Sequence, residues 1–111
     1  MESRRDPARD PADVADLADV ADPRRDAVLR AFLDDDGRLS TVPARRWKRL
    51  VILDHLAQMF EPGQRYPEVE VNRRLRAVHD DVAMLRRYLV DEGFLDREGG
   101  VYWRIGGTVD V

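Results

Sequence analysis

"YPEVEVNRRLRAVHDDVAMLRRYLVDEGFLDREGGVYWRI", residues 66–105, is the stretch from which the fold is read. Val71, Leu75 and Val78 recur at helical spacing and predict a helix starting about Pro67. The next helix begins near Asp80, turns Val82, Leu85 and Leu89 inward and stops at Gly93. "FLDREGGVYWRI" then predicts a β-hairpin turning on Gly99-Gly100, a pair that tolerates positive φ at both positions. Arginines run through all three elements. They either grip nucleic acid or form the solvated skin of a small domain.

Two further helices are expected upstream. "RRDAVLRAFLDDDGRL", from Arg24, sets Val28, Leu29 and Phe32 on one face, and "DDDG" ends that helix. "LSTVPARRWKRLVILDHLAQMF" gives a longer helix with Pro43 near its N-terminus. Its broad apolar face is read as Trp47, Leu50, Val51, Leu53, Leu56 and Met59–Phe60. "EPGQR" is a loop by its Pro-Gly pair. Four helices and a C-terminal β-hairpin make an α+β chain with the element order of a winged helix-turn-helix, spanning residues 24–111.

Residues 1–23 differ in kind. They are low-complexity, rich in Asp and Ala, and hold seven acids against three arginines, a charge of −4. Asp13, Asp16, Asp19 and Asp22 recur every third residue, interleaved with Val14, Leu17 and Val20. A short helix between Pro11 and Pro23 is one reading; an acidic, disordered leader is favoured, because so weak a stripe does not offset the ordering entropy. A docked form, on a basic surface of the chain's own domain or of a partner, is the sharper alternative. Such a tail is expected to compete with polyanions and lower affinity for them.

The overall net charge of −3 therefore conceals a domain near neutrality, with 15 acids and 16 bases in residues 24–111. Cysteine is absent, which excludes disulfides, thiolate zinc sites and cysteine nucleophiles. No apolar run approaches the roughly 20 residues of a membrane span, and no signal-peptide core is recognisable, so a cytoplasmic chain without a membrane partner is expected. Enzymatic activity is not expected, nor any cofactor or metal. His55 and His79 lack metal-spaced partners, Ser40 and Thr41 lack a nucleophile context, and "EGG" is a turn, not a phosphate loop.

"DGRLSTVPARRWKRLVILDHLAQMF", "YPEVEVNRRL", "HDDVAMLRRYLVDEGFLDRE" and "VYWR" together resemble a bacterial family known as domain of unknown function two-zero-eight-seven. The resemblance runs from about Val28 to Arg104 and rests on the combined order Glu70-Val71-Asn72, Asp81, Leu85-Arg86-Arg87, Leu89-Val90-Asp91 and Tyr102-Trp103-Arg104. It implies a winged-helix-like domain in a regulatory context, alone or behind helix-turn-helix regulators, without a settled activity. One departure is Pro67, where family members tend to carry Thr or Ser before the Glu of the third helix. Proline suits a first helical position but removes the side-chain cap, so a frayed helix start is expected.

The candidate nucleic-acid-binding residues fall in three places. On the fourth helix Arg87 points outward and Arg86 to the flank, with the small Ala83 a turn earlier leaving room for a duplex. The plainer reading pairs Arg86 with Asp81 or Asp91. Asp80-Asp81 would repel phosphate but suit the helix N-terminus. On the hairpin, Arg97 falls opposite Tyr102 and Leu95 opposite Arg104. Arg97, Tyr102 and Arg104 are thus expected to form one exposed basic-aromatic face, with Phe94, Val101, Trp103 and Ile105 packed on the helices. The third place is "ARRWKR", whose bases, Arg45 and Arg46 among them, either bind phosphate or neutralise the acids at 34–36 or those of the tail. Glu70–Arg74 is a helix-stabilising pair.

The favoured reading is a transcriptional regulator that binds double-stranded DNA through the fourth helix and the wing. The alternative is a non-enzymatic interaction module for a regulator protein or a homodimer, with the segment around Val28 to Leu33 as its contact. RNA is weaker still, because no stacked-aromatic platform is evident.

Overall fold

The computed structural model describes residues 23–108. Helix α1, Pro23–Phe32, buries Val28 and ends in a turn that Asp34 holds, its Oδ1 accepting from the amides of Asp36 and Arg38 at 2.9 Å each. Helix α2, Arg46–Ala57, is central and nearly surrounded, with Leu50 to Leu53, Leu56 and Ala57 all buried. It is shorter than its apolar pattern predicts. Pro43 lies before it, and Met59 and Phe60 lie past its end, although Phe60 still fills the core. Arg49 holds the approach by donating to the carbonyls of Ala44 (2.9 Å) and Pro43 (3.4 Å).

After α2 comes a strand absent from the sequence reading: β1, Arg65–Pro67. Three residues are too few to show a period. A closing proline is tolerated because β1 is an edge strand. Helix α3, Glu68–Arg76, follows at once, burying Val71 and Leu75. Pro67 is therefore the N-cap of α3 and not its first residue. It offers no side-chain cap, but the Glu68 amide donates to Gly100 O at 2.9 Å, so the sheet holds the helix start.

Helix α4, Val82–Asp91, buries Val82, Leu85 and Leu89 as its period requires. Asp81 caps it, accepting from the Met84 amide at 3.1 Å, which gives this acid a structural task at the positive end of the helix dipole. It ends on Gly93 (φ 82°), with Phe94 N donating to Leu89 O (2.8 Å) and Gly93 N to Val90 O (3.1 Å), the paired bonds of a Schellman motif. Strands β2, Leu95–Glu98, and β3, Val101–Arg104, form the hairpin, and its two turn glycines have φ 60° and 78°. The sheet is antiparallel in the order β1-β3-β2, with β3 in the middle. Among the described residues the architecture is α+β, four helices and a three-stranded sheet, and is compatible with a winged helix.

The hairpin register agrees with the sequence reading, but its faces are exchanged. Leu95 pairs with Arg104 and Arg97 with Tyr102, as expected. It is this face that turns inward: Tyr102 and Leu95 are buried, together with Tyr66, which pairs with Tyr102 from β1. The opposite face carries Trp103, half-exposed beneath the Arg65 guanidinium at 4.3 Å from the ring centre, and Ile105 is 55% exposed. Of the apolar set expected inside, only Phe94 is buried.

On α3, Glu70 accepts from Arg73 Nη2 at 2.6 Å and from Arg74 Nε at 2.7 Å. These hydrogen bonds, Arg73's first, bring its carboxyl down from 4.5 to about 2. The folded value lies below the unfolded one, so the contribution is present above about 4.5 and is lost as pH falls towards about 2. An NMR titration of the Glu70 carboxyl is expected to show a midpoint near 2, and Arg73→Met with Arg74→Met to return it towards 4.5.

Candidate nucleic-acid interface

Helix α4 and the hairpin meet along an open groove of about 190 Å³, lined by Ala83, Arg86, Arg87, Val90, Asp91 and Arg97. Four of the eight residues named from sequence come together here. Ala83 and Arg87 are exposed, one turn apart on the face of α4 opposite Leu85 and Leu89. Arg87 has no hydrogen bond or ion pair among the described residues, so its planar fork is available to an incoming anion.

The two other cations of the groove are held by one polar network. Arg97 Nη1 lies 3.4 Å from the Tyr102 hydroxyl, which donates to Glu68 Oε1 at 2.8 Å. The same Glu68 oxygen is 3.9 Å from Arg86 Nε, and Arg86 Nη1 donates to Asn72 Oδ1. Hairpin, α3 and α4 are thereby tied together behind the groove. Arg86 thus pairs with Asn72 and Glu68, across to α3, and not with Asp81 or Asp91 on its own helix. Its Nε is buried without a hydrogen-bond partner. The hydrogen bond to the Tyr102 hydroxyl, and then the nearby Glu68 and Asp91 carboxylates, raise the pKa of Arg97 above its ordinary value, so it stays cationic.

Two of the proposed contact residues are not available as contacts. Tyr102 is fully buried, and only its hydroxyl takes part in the network. Arg104 is spent on main-chain carbonyls, donating to Gly106 O (2.8 Å), Phe60 O (3.1 Å) and Thr108 O (2.5 Å). Their strand face is the one that closes on the core. Arg45 is exposed at the N-cap of α2, and Arg46 pairs with Glu92 at 2.9 Å; neither lines the groove. The acids at 34–36 are not what neutralises that basic stretch: Arg46 and Arg49 face Glu92, while Asp80 is paired with Arg38 at 3.0 Å.

Charge is mixed around the interface. Asp91 lines the groove, and on the far side of Arg87 a second depression of about 460 Å³ is lined by Asp81, Met84, Tyr88 and Asp91.

The sequence reading passed over Asp54. Its carboxylate is buried, 2.8 Å from Arg25 Nη1 of α1, and accepts from Thr108 N (2.6 Å) and Thr108 Oγ1 (2.9 Å). A lone acid inside "LVILDHLA" was the available signal, since an apolar helix face carries a carboxylate only where a partner meets it. Burial, and then the Arg25 charge, lower the pKa of His55. His79 Nδ1 accepts from the Asp81 amide at 2.9 Å, so it helps to shape the start of α4.

Among the described residues no group of three or more His, Cys, Asp or Glu could hold a metal, and no helix is long and apolar enough to cross a membrane. A family model described as "Uncharacterized protein conserved in bacteria (DUF2087)" matches residues 38–104. The chain belongs to that family. The DUF2087 match runs from the turn after α1 through β3, and so includes every residue of the α4–hairpin groove. Helix α1 and Thr108 lie outside it, clipped to the DUF2087 region through Asp54. No curated protein and no solved structure matches the chain.

Proposed function

We propose that this chain acts in transcription regulation by binding double-stranded DNA along α4 and the β2–β3 hairpin. The observation that carries the reading is the convergence of Arg86, Arg87 and Arg97 on one open groove beside the small Ala83. Arg87 and Arg97 suit phosphate or guanine contacts, and Arg86, held by Asn72 and Glu68, braces the surface. Duplex binding is expected to weaken with salt at a log–log slope of about 0.9 per phosphate neutralised. Arg87→Ala and Arg97→Ala are each expected to reduce that slope by about 1. A salt titration by fluorescence anisotropy checks this; two folded variants with unchanged affinity and slope would remove the face as the reader.

The carboxylates favour a second reading. Asp81 and Asp91 beside Arg87 present a mixed-charge surface that suits a protein segment, as in an interaction or dimerisation module. Light scattering separates the two: a monomer that shifts duplex DNA supports the first reading, and a stable dimer without DNA affinity the second.

A further inference from the structure

On the side of the molecule formed by α1 and α2 lies an apolar groove of about 430 Å³, lined by Ala27, Val28, Ala31, Phe32 and Trp47, with Arg24 and Lys48 at its margin. Phe32 and Trp47 are only half-buried, so two large aromatic surfaces are left incompletely covered within the described residues. We propose that this groove seats the chain's own N-terminal segment, residues 13–22, in "DVADLADVAD".

Three observations select that occupant. The segment carries Val14, Leu17 and Val20 at a spacing that presents them together, and so offers an aliphatic ridge to an apolar groove. Its charges are Asp13, Asp16, Asp19 and Asp22, with no base, complementary to Arg24 and Lys48 at the groove margin. It also adjoins the groove directly, since it ends where α1 begins at Pro23. Proline disfavours helical geometry at the preceding Asp22, which breaks any continuation of α1 and favours a reversal of the chain there. A two-residue reversal, at residues 21–22, keeps Val20 on the ridge and returns the segment antiparallel along α1, as in a helical hairpin.

A second copy of the chain is the competing occupant. The adjoining segment stands at an effective concentration of about millimolar, well above a free partner at micromolar concentration, so intramolecular seating wins for equal contacts. This proposal is independent of the α4–hairpin reading and survives or fails separately.

The chain has no cysteine, so engineered pairs report on it cleanly. Ala18→Cys is combined with Ala27→Cys, close to its level in an antiparallel return, in the full-length protein at micromolar concentration under mild oxidation. An intramolecular disulfide is expected in the monomer, forming about ten-fold faster or more than when Leu17→Asp is added, the effect of losing one buried aliphatic side chain. Equal rates with and without Leu17→Asp would overturn the proposal by showing tethering without seating. A bridge found only between chains would overturn it in favour of the second copy.

Discussion

Asp54→Ala is expected to cost about 3–5 kcal/mol of folding stability, because it leaves the Arg25 guanidinium buried without its counter-charge. The two side chains are 8% and 2% exposed and 2.8 Å apart, so water screens the pair little. The contact is an ion pair without good hydrogen-bond alignment, since Arg25 Nη1 has no aligned acceptor. The same substitution deprives the Thr108 amide and hydroxyl of their acceptors. The melting temperature is expected to fall by roughly 12–40 °C, at about 4–8 °C per kcal/mol for a domain of this size. Thermal unfolding followed by circular dichroism checks it. Arg25→Met with Asp54→Leu is expected to recover most of the loss, because an apolar pair leaves no stranded charge. A melting point for Asp54→Ala within a few degrees of the parent would mean that this pair does not hold α1 to α2.

The second large effect contrasts neighbours on β3. Tyr102→Ala is expected to cost about 3–5 kcal/mol, as for deleting any fully buried aromatic ring. Trp103→Ala removes a half-exposed ring and its contact with Arg65, an effect of about 1 kcal/mol. Tyr102→Phe keeps the ring and loses only the hydroxyl's bonds to Glu68 and Arg97, about 0.5–1.5 kcal/mol. Urea denaturation of the three variants gives the order directly. If Trp103→Ala proved the most damaging, the inward face of the hairpin would be the one read from sequence.

That contrast also marks where sequence reasoning succeeds and where it stops. Helices α3 and α4 were legible because Val71, Leu75, Val82, Leu85 and Leu89 repeat at the helical period, and a period is a local property. The hairpin register was legible for the same reason: Gly99 and Gly100 supply two consecutive positive φ angles, and a two-residue turn fixes which residues pair. On the candidate site, the positions of Ala83, Arg86 and Arg87 on α4 followed from 100° per residue once the core face was known.

Alternation along a strand says which side chains share a face, but not which face meets the core. Ranking by side-chain hydrophobicity put Trp103 and Ile105 inside and left Tyr102 and Arg104 as contacts. Tertiary structure reversed this, because β1 lays Tyr66 beside Tyr102, while Glu68 and Arg97 give the buried phenol its hydrogen bonds. Arg104 turned inward because the carbonyls of Phe60, Gly106 and Thr108 converge on it. The pairings of Arg86 with Asn72 and of Arg25 with Asp54 belong to the same class, joining positions 14 and 29 residues apart. Their partners meet only when separate elements pack. A sequence read one segment at a time carries local periods and turns, and the destination of a buried polar group is set by what the other segments bring to it.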